Sequence, residues 1–269
     1  REGIELCRRE NVDFLLAVGG GSVIDSCKAI GYGLANPETD VWNFFLRTET
    51  PKACLPVGVI LTIAASGSEM SNSCVITNED GWLKRSTARN DLCRPRFAIL
   101  NPRLTYTLPQ YQTESGCVDI LMHTMERYFV NIETMEITDS ISESLMQTVI
   151  YNSRILLKEP DNYTARAEIM WAGSLSHNGI TGLGAEKDFA VHQLGHELSA
   201  KFDIAHGASL SAVWGAWATY VYDAKPARFA QYARRVWNVE EKQLHILHHL
   251  ICRQVFVRRK KLVQKQTKK

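Results

Sequence analysis

Apolar positions change their period about two fifths of the way along the chain. From Asn11 the order is N-V-D-F-L-L-A-V-G-G-G-S, a short unbroken apolar run stopped by three glycines, which predicts a strand buried on both faces. Val23, Ile24, Cys27, Ala29 and Ile30 then recur at helical spacing, ending near Gly31 or Gly33, and Ser22 with Asp25 three positions on has the form of a capping box. The opening R-E-G-I-E-L-C-R-R-E predicts a charged helix, and 35–56, with its prolines and aromatic residues, a loop with one short helix. Further strands are expected at 57–62, 75–77 and 97–100, the first running into A-A-S-G-S-E-M-S, where Ser66 and Glu69 suggest a second capped helix start. Beyond 106–109 the period is 3.6 residues, with amphipathic helices expected over 114–130, 137–157, 163–176, 185–200, 208–222 and 228–236.

These patterns predict an α/β unit over 1–107, an all-α unit over 108–240, and an atypical basic tail over 241–269. With 269 residues and 45% hydrophobic content, each of the first two units can bury a core. No apolar run is long enough to cross a bilayer, and the charged start has no signal-peptide form, so a cytoplasmic address without membrane attachment is expected. Seven cysteines stand singly with no C-x-x-C, the pattern of reduced thiols. The net charge of +2 conceals a basic end: Arg253, Arg258, Arg259, Lys260, Lys261, Lys265, Lys268 and Lys269 lie in a stretch without acids, leaving the remainder acidic. An acidic body argues against nucleic acid as a partner.

The candidate chemistry lies on the helical segments. His192 and His196 are four residues apart and share one helix face, as do Asp119 and His123. His206 follows just before Gly207, where the chain can turn and bring its imidazole toward the first pair. One carboxylate and up to four imidazoles suit a borderline divalent ion such as Fe2+ or Zn2+. Neither H-E-x-x-H nor G-x-S-x-G occurs, which disfavours a helix-borne zinc protease and a serine hydrolase. His177, His245, His248 and His249 read as surface or hydrogen-bonded histidines, and Glu126 with Arg127 as a structural ion pair. In the α/β unit, a strand, a glycine turn and a helix start form an anion site that serves equally as a plain tight connection. The hydroxyls of Thr62, Ser66 and Ser68 are candidates for phosphate or ribose, with helix capping as the alternative.

The segments G-G-G-S-V-I-D, A-S-G-S-E, R-P-R-F-A-I-L-N-P, L-T-Y-T-L-P, G-C-V-D-I-L-M-H-T-M-E-R-Y and D-F-A-V-H-Q-L-G-H-E-L-S-A-K-F-D-I-A-H-G together resemble the iron-containing, group III metal-dependent alcohol dehydrogenases. Within that family they are most similar to the branch of NAD(P)H-dependent butanol dehydrogenases and broad-range aldehyde reductases. The resemblance implies a partial dinucleotide-binding domain followed by a helical metal-binding domain, the dehydroquinate-synthase-like architecture, truncated at both ends. It implies Asp119, His123, His192 and His206 as metal ligands, with His196 relaying a proton or holding the substrate. The pyrophosphate of NAD(H) or NADP(H) would lie on Gly20, Gly21 and Ser22 with Asp25 nearby; Thr62, Ser66 and Ser68 would line its ribose and nicotinamide end, and Lys84 or Arg85 would contact it. A primary alcohol or aldehyde such as butanol or butanal is the implied substrate, and a homodimer the implied assembly. The alternatives are a non-catalytic metal-binding remnant of the fold, a glycerol dehydrogenase-like relative and a dehydroquinate-synthase-like lyase.

Overall fold

The computed structural model describes residues 1–88, 90–130, 135–184 and 188–239. The helix expected after Val239 and the basic tail, with His245, His248, His249 and Cys252, lie outside the described residues, as do 185–187 at the start of one expected helix.

The chain opens with helix α1 (Glu2–Arg9), strand β1 (Leu15–Gly19), helix α2 (Gly21–Ala35) and the short α3 (Trp42–Leu46). Strand β2 (Val57–Leu61) follows, then β3 (Val75–Asn78), β4 (Leu83–Ser86) and β5 (Phe97–Leu100). Strands β1, β2 and β5 form one parallel sheet in that order, with Leu15 opposite Val57 and Gly58 opposite Phe97. The pair β3 and β4 is a separate antiparallel hairpin, closed by Asp80-Gly81-Trp82 with Gly81 at φ 80°. Strand β4 is a structure that the basic, polar stretch L-K-R-S did not suggest; pairing with Val75–Asn78, not apolar periodicity, makes it a strand.

Three local expectations are corrected. First, β1 alternates buried and exposed positions: Leu16 and Val18 are 50% and 56% exposed. Among the described residues, helix α2 and its neighbours bury only one face of the sheet, through Ala17, Ile24, Val57, Val59 and Leu61. Second, Ser22 does not cap α2: the cap is Gly20, without a side-chain bond, and the Asp25 carboxylate instead accepts from Ser68 Oγ at 2.5 Å and from the Val75 amide at 3.0 Å. Third, Ser66 to Glu69 starts no helix; Gly67 takes φ 63° in a turn, and the Glu69 carboxylate accepts from Ser174 Oγ at 2.6 Å. In both places a buried partner distant in sequence outcompetes the local cap.

The second half is a helical array: α4 (Gln110–Tyr128), α5 (Glu136–Leu156), α6 (Tyr163–His177), α7 (Ala190–Phe202), α8 (His206–Val221) and α9 (Pro226–Trp237). Helix α4 is its axis. From Ser115 to Tyr128 every residue of α4 is buried, so it is enclosed on all sides instead of showing one wet face. Ile120, Met122 and Met125 pack with Met146, Val149, Ile169, Leu210 and Trp214 in one core. Full burial of such side chains contributes roughly 1.5–3 kcal/mol each, so α4 is anchored firmly enough to carry polar groups inside. Asp119, His123, Glu126 and Arg127 are those groups, all under 5% exposed. Two glycines set how closely the elements approach: a β-carbon at Gly116 would overlap the Ala64 carbonyl, bringing α4 against the loop after β2, and one at Gly207 would overlap the Ser115 backbone, seating the start of α8 on α4.

Candidate metal centre

Helix α4 presents Asp119 and His123 on one face, α7 presents His192 and His196 one turn apart, and His206 is the first residue of α8. Their side chains converge. From Asp119 Oδ1, the distances are 3.2 Å to His123 Nδ1, 3.6 Å to His192 Nε2 and 4.0 Å to His206 Nε2. Donor atoms of Asp119, His123 and His192 all lie within 4.8 Å of one another, close enough to share one ion. The His196 ring stacks on His206 with centroids 5.0 Å apart and stands 6.4 Å from that of His192.

Two observations fit a cation among these groups. Asp119 Oδ1 and His192 Nε2 are buried atoms without a hydrogen-bond partner, and an unsatisfied carboxylate oxygen facing an unsatisfied imidazole nitrogen is costly unless something positive joins them. Electrostatics agrees in sign. Burial alone would push the Asp119 carboxyl up, but the imidazoles of His123 and His206 outweigh it and hold it well below the usual carboxylate range, so it is anionic. Burial, together with the neighbouring His192, lowers His123 to about 4, and burial likewise drives His206 well down, leaving both neutral with lone pairs to offer. His192 behaves otherwise: burial lowers it, yet the Glu126 and Asp119 carboxylates raise it to about 9. His196 falls to about 3 through burial and the nearby charges of Lys84 and His192.

The cluster forms one end of a cavity of about 990 Å3, and the glycine turn forms the other. Gly20, Gly21, Ser22 and Asp25 line it beside Ser66, Ser68 and Lys84, together with Asp119, His123, His192, His196 and His206. A β-carbon at Gly20 would fill the space held by Ile63, and one at Gly21 would meet Ser66. The turn is therefore a close-walled cradle at an uncapped helix start, where outward amides and the helix dipole favour an anion. Of the remaining sequence candidates, Thr62 and Arg85 do not line the cavity. The Thr62 amide donates to the Gly19 carbonyl, and the Arg85 guanidinium is drawn outward to Glu197 at 2.9 Å. On a β-strand consecutive side chains point to opposite faces, so Lys84 and Arg85 cannot both face the cavity. Lys84 does so, with Nζ 3.4 Å from Ser199 Oγ.

Three participants escaped the sequence reading. Lys28 is fully buried; its ammonium donates to the carbonyls of Ser68, Ser71 and Ser73 at 2.8, 3.2 and 2.9 Å and to Ser68 Oγ at 2.8 Å. It thereby holds the whole turn after β2, and because the Ser68 hydroxyl also donates to Asp25, that hydroxyl is committed to the protein. Only the i, i+3 spacing of Asp25 and Lys28 hinted at it. His177 lies edge-on to His123, centroids 4.1 Å apart, with Nε2 3.1 Å from Ser73 Oγ, and lines the cavity. Glu126 directs both carboxylate oxygens at α7: one accepts from the Val191 and His192 amides, the other faces His192 Nδ1.

Comparison with known proteins places this arrangement. Residues 1–102 match the family model described as iron-containing alcohol dehydrogenase, and residues 113–251 match that described as Fe-containing alcohol dehydrogenase family, C-terminal. The chain is 38% identical over 244 residues to NADH-dependent butanol dehydrogenase A of Clostridium acetobutylicum, covering 90% of this chain and 62% of that protein. It is 40% identical over 241 residues to the NADPH-dependent aldehyde reductase YqhD of Escherichia coli, covering 88% and 62%. The crystal structure of NADH-dependent butanol dehydrogenase A from Thermotoga maritima superposes with a TM-score of 0.90 at 36% identity, over 94% of this chain and 64% of that one. The chain thus spans a little over three fifths of the length of the relatives it matches. With both halves matched in order, and with the carboxylate and the histidines gathered at one end of a cavity that begins at the glycine turn, the chain belongs to the iron-containing alcohol dehydrogenase family.

Proposed function

We propose that this chain forms the hydride-transfer site of a metal- and NAD(P)-dependent alcohol dehydrogenase or aldehyde reductase acting on a primary alcohol or aldehyde such as butanol or butanal. The observation that carries the reading is one cavity joining an uncapped glycine turn to three buried metal-donor side chains, with the half-buried His206 beside them. The names of the relatives, butanol dehydrogenases and an aldehyde reductase, support the same reaction. In this reading 1–107 is the cofactor half, 108–240 the metal half, and 241–269 a basic tail outside the described residues.

Asp119, His123, His192 and His206 hold the divalent cation, Fe2+ or Zn2+. Gly20, Gly21 and Ser22 receive the pyrophosphate at the start of α2, where no β-carbon intervenes. Ser66 and Lys84 face the remaining length of the cofactor, whereas Asp25 and Ser68 act through the wall they build with Lys28. When bound, the cation polarises an aldehyde oxygen or acidifies an alcohol, and the nicotinamide gives or takes the hydride. His196, stacked on His206 and lining the cavity, relays the alcohol proton or holds the substrate. The six free cysteines among the described residues accord with a reducing compartment such as the cytoplasm, and no described helix is long and apolar enough to cross a membrane. A homodimer belongs to the same reading and is checked by light scattering.

The test pairs metal analysis with fluorescence titration of NADH and NADPH and a butanal reduction assay. The expected result is about one Fe2+ or Zn2+ per chain with saturable cofactor binding, and an Asp119→Asn protein whose metal affinity falls by more than roughly a hundredfold, beyond the loss typical of residues behind a ligand. Metal binding that survives in Asp119→Asn, or no metal binding in the parent, overturns the proposal.

A further inference from the structure

The four donors are not held alike. His123 Nδ1 lies 3.0 Å from the Asp119 backbone carbonyl, and His206 Nδ1 is buried without a partner. Among the described residues, His192 is the one of the three donor imidazoles that a carboxylate outside the donor set contacts, that of Glu126. Glu126 is 1% exposed and lies on α4, three residues beyond His123 and seven beyond Asp119, so one helix presents all three toward α7. Its Oε1 accepts from the Val191 amide at 2.7 Å and the His192 amide at 3.3 Å, at the first turn of α7, while Oε2 faces His192 Nδ1.

We propose that Glu126 is a positioning residue for His192: its carboxylate holds the Nδ1 proton and the first turn of α7, so that Nε2 points its lone pair toward Asp119 and the cation. The inference rests on the metal reading above. An ionised carboxylate only accepts hydrogen bonds, so the nitrogen it faces must carry a proton; once a bound cation displaces the second proton of His192, its lone pair is on the other nitrogen. That other nitrogen is the buried, unpartnered Nε2, 3.6 Å from Asp119 Oδ1. A carboxylate behind a histidine ligand both fixes the ring and makes it a better donor. The contact spans 66 residues of sequence and ties the helix bearing two donors to the helix bearing the third.

Glu126→Gln is nearly isosteric and separates the two oxygens chemically. If the amide oxygen keeps the Val191 and His192 amides, the NH2 group faces Nδ1, which must then accept, and the proton moves to Nε2. If the amide turns over, its NH2 faces two backbone donors. In the first case the Nε2 lone pair is lost; in the second the ring keeps its Nδ1 proton, but the first turn of α7 that carries it loses its acceptor. Cobalt titration followed by the visible d–d bands is expected to show Glu126→Gln binding about 10–100-fold more weakly than the parent, with thermal unfolding of the metal-free proteins compared as a control. An affinity within about threefold of the parent overturns the proposal, since residues behind a ligand normally cost at least tenfold. A second measurement needs no variant: in the zinc-loaded parent, two-bond proton–nitrogen correlation of 15N-histidine protein should show His192 protonated at Nδ1 and metal-bound through Nε2. The reverse assignment refutes the role of Glu126 even if the variant does not fold. A parent that binds no cobalt sinks the metal reading itself, whereas equal binding by both proteins sinks only the positioning role.

Discussion

The two ends of the cavity meet the same demand by different means. At the metal end, donors sit on long helices whose other faces are locked in a continuous core, and buried side chains such as Glu126 set their orientation. At the glycine end, the wall is a turn with little regular structure, held by one buried ammonium that gathers three carbonyls and a serine hydroxyl. Packing against the core fixes the helices at one end, as the narrow geometry of metal coordination requires. The other end exposes backbone to a ligand, which a helix interior cannot do, and relies on a buried charged post, with Arg94 donating to the Met70 carbonyl from outside, to keep its shape.

This contrast is open to attack, and the strongest attack is on the post. Lys28→Met removes the ammonium, leaving three carbonyls without its N–H groups and Asp25, still bonded to Ser68 and Val75, without its countercharge. Desolvated polar groups left unpaired cost about 3–5 kcal/mol in total. Burial already raises the Asp25 carboxyl against the opposing pull of Lys28, and without that cation it would be more readily protonated. Denaturant unfolding should show the loss, and hydrogen exchange should localise it to the turn at 68–73 and the amides of β3, with α4 amides still protected. Loss of protection in both halves together would show that they are one cooperative unit and that the contrast is false.

An intermediate effect is expected at the seam between α4 and α8. Gly207→Ala drives a methyl group into the Ser115 backbone, which cannot yield as a side chain would, and overpacking of this kind costs about 1–3 kcal/mol. Because His206 is the adjoining residue, metal affinity should fall with stability while NADH binding is spared; calorimetric titration of zinc distinguishes this from general unfolding. The smallest effect is expected on the outer face of the sheet. Val18 is 56% exposed there, so Val18→Thr should change stability by less than about 0.5 kcal/mol in thermal unfolding. A cost near 2 kcal/mol would mean that this face is covered in solution, since full burial of a valine is worth about that much.

Much of this was legible in the chain. The change from short apolar runs to 3.6-residue periodicity located the strands of the parallel sheet and the six described helices of the second half, and the four-residue steps placed Asp119 with His123 and His192 with His196. What escaped were features whose partner is far away. Ser22 with Asp25, and Ser66 with Glu69, both have the letters of a capping box, but Asp25 is engaged by Ser68 and Glu69 by Ser174. Lys84 and Arg85 were equivalent as residues; strand β4, itself invisible without β3, turned one inward and the other out. Glu126 and Arg127 read as a local ion pair, yet the carboxylate reaches across to α7.

Residue spacing by itself determined the inventory: which side chains can bind a metal, which turn can admit an anion, and which helix carries each. Such information is local, because helix and strand periods and glycine's freedom act over a few residues. The folded structure alone decided that the two inventories face one cavity, that Lys28 props one wall, and which nitrogen of His192 is turned toward Asp119. Those outcomes depend on burying charged groups against partners some 40 to 66 residues away, where the cost of leaving any of them unpaired selects a single arrangement.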